Sequence, residues 1–172
     1  MHFGSRIPVH LNSAESPITL QALQLGTLPF NINMHTAQIY DGGNRRFSIS
    51  TLRQIGNAVV NVLSKPEETA NRVIYVHSFT VSQNEILAAF EKITGEKWAV
   101  TESTTEAAVK EGVDMFAKGN FSGLLLLLKA IFLGEGYGSD FTKDAVLANE
   151  KLALPGQALE KAVKAFVAGN EV

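Results

Sequence analysis

The chain has 172 residues, 45% hydrophobic and 19% charged, an ordinary balance for a folded domain with one core. A formal net charge of −2 argues against nucleic acid or an anionic membrane surface as a partner. The absence of cysteine excludes disulfides, thiolate metal ligands and a cysteine nucleophile.

In chain order, residues 1–8 carry Arg6 but no apolar run follows, so no secretory leader is expected and the cytoplasm is the predicted location. Residues 7–11 read as a short strand and 12–17 as a turn. Residues 36–40 and 46–49 alternate polar and apolar around Asp41-Gly42-Gly43-Asn44, and the glycines there supply the positive φ of tight turns. That spacing predicts a hairpin. Between 51 and 63, apolar residues at 52, 55, 59, 62 and 63 follow a helical period, and Pro66 ends the run. Residues 73–76, Val-Ile-Tyr-Val, predict a short strand.

Ser82-Gln-Asn-Glu85 has the form of a capping box. The serine hydroxyl accepts from the backbone N–H of Glu85, and the glutamate carboxylate reaches back. The helix it opens puts Ile86, Leu87, Phe90 and Ile93 on one face and stops at Gly95. Ser103-Thr-Thr-Glu106 repeats the pattern for a helix to 118, closed by Gly119. Residues 120–133 are apolar nearly all round and predict a buried helix. Their most apolar part is about ten residues, interrupted by Lys129, against the about 20 needed to span a bilayer. Residues 142–153 and 155–168 predict two more helices, the last with Pro155 in its first turn and Gly169 past its end.

Catalytic patterns are sparse. A dinucleotide site of the Rossmann kind places glycines at a strand-to-helix turn, where backbone N–H groups can approach a pyrophosphate. The cluster Gly134-Glu-Gly136-Tyr-Gly138 follows a helix, and Ser139 stands where G-x-G-x-x-G has its third glycine. It reads as a flexible connection. None of Tyr40, Tyr75 and Tyr137 has a lysine four residues on, so the Tyr-x-x-x-Lys proton donor is missing. His2, His10, His35 and His77 are scattered without a His-x-x-x-His pair, and no metal site is expected. His77 follows the predicted strand 73–76, at the end where α/β folds place ligand groups. A histidine at a loop start bonded to backbone is the other reading. Phe116, Phe121 and Phe132 are either core residues or the walls of a cavity for an aromatic ligand.

Taken in order, Phe47-Ser-Ile-Ser-Thr-Leu-Arg-Gln-Ile-Gly56, residues 58–63 and 65–68, Arg72-Val-Ile-Tyr-Val76, Ser82-Gln-Asn-Glu-Ile86 and Thr94-Gly-Glu-Lys-Trp98 carry a resemblance. They are similar to the C-terminal, substrate-side half of NmrA-like and isoflavone-reductase-like atypical short-chain dehydrogenases of the fungal type. The resemblance implies an α/β chain, the remnant of a Rossmann-type fold, with a few short strands and a helical C-terminal half. It implies one substrate-side domain over 1–172, with 1–20 poorly assigned. It also implies NADP as cofactor and NAD(P)H-dependent reduction of a small hydrophobic secondary metabolite. The chain's own motifs provide no cofactor site, since the family's opening glycine-rich turn and catalytic lysine belong to the nucleotide-binding half.

The family has a GEG-Y/N-G-x-DF loop near its substrate pocket. The pocket candidates are therefore Tyr137 and Phe141, with His77, Phe121 and Phe132. One departure is Ser50-Thr51-Leu52-Arg53, where relatives often carry an acidic residue before the helix. Two other readings stay open: a non-catalytic remnant that binds small molecules or regulates, and a cofactor-independent isomerase or cyclase that pairs His77 with Asp140. Without a partner half, strand 73–76 exposes its edge, and self-association is expected.

Overall fold

The computed structural model describes residues 18–19 and 28–169. Two separate three-stranded sheets organise them. The first contains β1 (Ile18–Thr19), β4 (Arg46–Ser50) and β5 (Phe79–Ser82), with β4 central, parallel to β1 and antiparallel to β5. The second contains β2 (Phe30–Asn31), β3 (Thr36–Tyr40) and β6 (Ala99–Ser103), with β3 central, antiparallel to β2 and parallel to β6. The helices are α1 (Leu52–Ser64), α2 (Pro66–Thr69), α3 (Gln83–Thr94), α4 (Thr105–Ala117), α5 (Gly123–Leu133), α6 (Phe141–Asp144) and α7 (Leu159–Val167). The result is an α/β fold with its helices concentrated late in the chain. Among the described residues no helix is long and apolar enough to cross a membrane.

Local signals set most helix ends. The Thr51 hydroxyl caps α1 by accepting from the Gln54 N–H at 3.1 Å. The capping box of α3 is formed: Ser82 N–H donates to Glu85 Oε2 at 2.6 Å, and Glu85 N–H donates to Ser82 Oγ at 3.2 Å. Gly95 closes that helix in the left-handed conformation. For α4 the cap falls one residue later than its pattern implies. Thr104 accepts from Ala107 N–H, because Ser103 is the last residue of β6.

The structure corrects five expectations. The strands at 36–40 and 46–50 form, but not as a hairpin; each is the central strand of its own sheet, with both edges already taken. A tight 3-10 turn at Asp41–Gly43 sends the chain from one sheet to the other. Residues 73–76 do not form a strand. Tyr75 makes a single parallel bridge to Leu147, and β5 takes the place beside β4 because Phe79 and Val81 turn apolar side chains into the core. Helix α5 is shorter than 120–133 and buries only Gly123, Ala130 and Leu133; Leu124, Leu125 and Ile131 are exposed. The helix expected at 142–153 is the single turn α6, after which Ala145 is extended and Leu147 enters its bridge. Finally, α7 starts at Leu159, since the Pro155 carbonyl is engaged by Gln54 Nε2 at 3.1 Å instead of a helical N–H. The strand and turn predicted at 7–11 and 12–17 lie outside the described residues.

The core lies between the sheets and α3, α5 and α7, where Phe47, Ile86, Phe90 and Val163 are fully buried. Phe90 is its centre, stacked on Trp98 at 5.0 Å and meeting Phe30 and Phe166 at 5.9 and 6.5 Å. Gln83, at the start of α3, ties the sheets together. Its Oε1 accepts from Tyr40 N–H at 3.0 Å and its Nε2 donates to the Gln38 carbonyl at 3.1 Å, continuing the β2 side of β3 where β2 stops.

Candidate functional site

A polar cluster forms where β4 and β5 meet the loop after α5. The register pairs Ser48 with Thr80, which puts their side chains on one face with hydroxyl oxygens 2.9 Å apart. His77 precedes β5, and its Nδ1 lies 2.9 Å from Thr80 Oγ1. The backbone of His77 is clamped by the Asn149 amide: its N–H donates to Oδ1 at 3.2 Å, and its carbonyl accepts from Nδ2 at 2.7 Å. Across β4, Ser48 N–H donates to the Ser139 carbonyl at 2.7 Å, and Phe141 N–H donates to Ser48 Oγ at 3.0 Å. The Phe141 ring meets Tyr75 edge-on at 5.4 Å.

Asp140 is buried beside this cluster. Its Oδ1 accepts from the Thr142 N–H and hydroxyl at 3.1 and 2.5 Å, whereas Oδ2 has only Lys143 Nζ, 3.6 Å away, and no hydrogen bond. Burial pushes the Asp140 carboxyl up, but the Thr142 hydrogen bonds and the Lys143 charge outweigh it, leaving the group below 3.8 and ionised at neutral pH. Burial pushes the His77 imidazole down from 6.5, partly opposed by the Asp140 charge and the Phe79 backbone, so the ring is neutral at pH 7. A neutral imidazole, two hydroxyls in series and a nearby carboxylate can move a proton in either direction, because each hydroxyl both donates and accepts.

Of the residues singled out from the sequence, His77 and Phe141 meet in this cluster, and the Asp140 charge acts on His77. Tyr137 is exposed on the loop that leads into it. Phe132 is partly buried against the core. Phe121 stands on the α4–α5 connection, 73% exposed and edge-on to Phe116 at 5.5 Å. Ser48, Thr80 and Asn149 were not singled out. Ser48 and Thr80 are 32 residues apart, Asn149 is 72 from His77, and no short motif joins them. In the turn before α1, the Thr51 hydroxyl donates to Gln157 Oε1 at 3.1 Å, and Gln157 Nε2 donates to Gln54 Oε1 at 3.2 Å. A neutral ring of polar side chains thus fastens residues 155–157 onto α1.

A dinucleotide does not fit the Gly134–Gly138 loop. Gly136 and Gly138 adopt positive φ of 86° and 70°, which shapes the bend. The helix that follows is one turn long, its Phe141 N–H is taken by Ser48 Oγ, and the Asp140 carboxylate already accepts from the Thr142 N–H. A phosphate at that end would meet a negative charge instead of open donors.

No family model matches the chain. It is 33% identical over 142 residues to the oxidoreductase aprR of Aspergillus flavus, a match covering 83% of this chain and 48% of that protein. It is 36% identical over 121 residues to the oxidoreductase poxI of Penicillium oxalicum, covering 70% and 38%. The chain therefore spans less than half the length of these relatives. Among solved structures, an NADPH-dependent quinone oxidoreductase from Escherichia coli superposes with a TM-score of 0.60 at 14% identity, over 85% of this chain and 51% of its own. A nucleoside-diphosphate-sugar epimerase from Staphylococcus aureus gives 0.54 at 17% identity, over 86% and 50%. The fold is Rossmann-like α/β.

Proposed function

We propose that this chain is the substrate-side part of an NmrA-like, NAD(P)H-dependent oxidoreductase that reduces a small hydrophobic metabolite. The observation that supports it most is the 33% identity to a fungal oxidoreductase across 83% of the chain, joined to the fold shared with an NADPH-dependent quinone oxidoreductase. In this reading the cofactor supplies the hydride, and the Gly134–Gly138 loop takes no part in holding it. The residues of the chain handle the substrate. Phe141 and Tyr75 offer aromatic surface, with Phe132, Phe121 and Tyr137 as further pocket candidates. His77 takes up a proton through Ser48 and Thr80, gives it to the substrate oxygen as the hydride reaches carbon, and so returns to its neutral form. Asp140 holds the protonated imidazole electrostatically during the exchange.

A titration of the folded chain with NADPH, followed by nucleotide fluorescence, tests the reading. Saturable micromolar binding, with NADPH consumption on adding a hydrophobic quinone or enone that His77→Gln slows without abolishing NADPH binding, would mean that a cofactor site exists away from the Gly134–Gly138 loop and that the reductase reading stands for this polypeptide. A folded chain that binds no NADPH overturns the reductase reading for this polypeptide. It leaves a second one, a small-molecule binder without redox turnover, which the Asp140 carboxylate seated at the α6 N-terminus favours.

A further inference from the structure

A different part of the molecule carries a second site. Between β2, β3 and β6 on one side and α5 and α7 on the other lies a cleft of about 880 Å³, within the size range of small-molecule pockets. Leu28, Phe30, Ile32 and Phe166 form its apolar lining. Phe30 and Phe166 both rest on the fully buried Phe90 ring, at 5.9 and 6.5 Å, so these walls are braced by the core and do not need to assemble around a ligand.

Against this surface stands Lys129, the single charged residue lining the cleft among the described residues and the single charge in the sequence of α5. No ion pair or hydrogen bond engages its ammonium among the described residues. Burial holds its amine below the usual 10.5. A half-buried cation without a counter-ion costs stability, and a bound anion removes that cost in surroundings where a charge-assisted hydrogen bond is strong. Gln38 also lines the cleft; its Oε1 accepts from the Tyr40 hydroxyl at 2.7 Å, which leaves the amide nitrogen to act as a second donor.

We infer that this cleft binds a small hydrophobic acid, its apolar body against Ile32 and Val167 over the buried edges of Phe30 and Phe166 and its anionic group on Lys129. The inference is independent of the reductase reading. It concerns a different set of residues and holds whether or not the chain takes part in hydride transfer.

The test uses the full chain and two probes of nearly the same shape: 8-anilino-1-naphthalenesulfonate, an aromatic anion, and N-phenyl-1-naphthylamine, which lacks the sulfonate. Wild type is expected to bind the anion saturably at one site. Lys129→Met should weaken the anion about tenfold or more while changing the neutral probe less than about twofold. Lys129→Arg should keep most of the anion affinity. Thr101→Phe, which narrows the cleft from its exposed rim, should weaken both probes. Lys129→Met should melt at or above the wild-type temperature, since it removes a half-buried charge, and this separates lost binding from lost folding. Three results would overturn the inference: no saturable binding by folded wild type, equal anion affinity in Lys129→Met, or a signal lost instead on Phe121→Ser, which would assign the probe to the exposed apolar surface of α4 and α5.

Discussion

The sheet-bearing region and the α4–α5 pair are both rich in large apolar residues, yet they use them in opposite ways. Phe47, Ile86, Phe90 and Val163 are fully buried among the sheets, α3 and α7. On α4 and α5 and the turn between them, Phe121 is 73% exposed, Val113 52%, Phe116 50% and Leu124 48%. The difference lies in what makes the contact. The two helices meet through Gly112 and Gly123, where a Cβ added to Gly112 would come within 2.8 Å of the Gly123 carbonyl. Backbones that approach this closely leave no room between them for large side chains, which therefore point outward. Hydropathy counts apolar groups; the size of the residues at the closest approach decides where those groups go.

The largest expected effect breaks the first region. Phe90→Ala should cost about 3–5 kcal/mol in urea unfolding, because the ring anchors Phe30, Trp98 and Phe166 and its removal leaves a cavity. Phe121→Ala on the exposed pair should change stability by no more than about 0.5 kcal/mol. Equal losses at the two positions would erase the distinction. Next comes Gly123→Ala. In an exposed helix interior this change stabilises by about 0.5–1 kcal/mol; here the new methyl collides with the Gly112 carbonyl and Met115, and a loss of about 1–3 kcal/mol is expected. The sign of the change decides whether the helices are closed at that point.

Ser82→Ala should cost about 1 kcal/mol by uncapping α3, one of the helices that covers the buried core. The smallest effect concerns pH. The His77 imidazole titrates below 6.5 when folded and at 6.5 when unfolded, so the unfolded chain takes up its proton first. Its contribution to stability is complete above 6.5 and is lost as pH falls from there toward the folded value. His77→Gln should flatten that part of a stability–pH curve measured by thermal melts. The carboxyls of Glu85 and Asp140, both held low, act in a separate window, with stability present above 4.5 and 3.8 and lost as pH falls through their folded values. A slope just below 6.5 that survives His77→Gln would show that another group carries it.

The parts of the fold legible in the sequence are those determined within a few residues. Ser82 and Glu85 are three apart, and the box they predict is formed. The alternation at 36–40 and 46–49 marks two strands correctly, but alternation carries no information about which neighbour a strand will pair with, and the hairpin failed for that reason. Strand β6 left no trace, since its first four residues are all exposed and show no period of two. Residues 73–76 have strand-like composition without a ladder to join. The candidate site was legible only in part. From the sequence alone His77 stands out after a strand-like run, with Asp140 as one candidate partner, while Thr80 and Ser48 come to it through the β4–β5 register and Asn149 through the return of the chain after α6. The Lys129 cleft has no signature in the sequence. A lysine inside an apolar helix reads as an interruption, and only the placement of Lys129 across a cleft from β2 and β3 turns it into a feature of a cavity wall.

The strap made by Gln83 has a consequence for time as well as for shape. The described strands of the two sheets share no backbone ladder, so the amide protons of β3 and of β4 belong to different hydrogen-bonded units. A fluctuation that frees one set need not break the other. The Tyr40 amide, held by a side chain instead of a neighbouring strand, sits at the seam, and its protection against deuterium should follow the rotamer of Gln83 more closely than the life of either sheet.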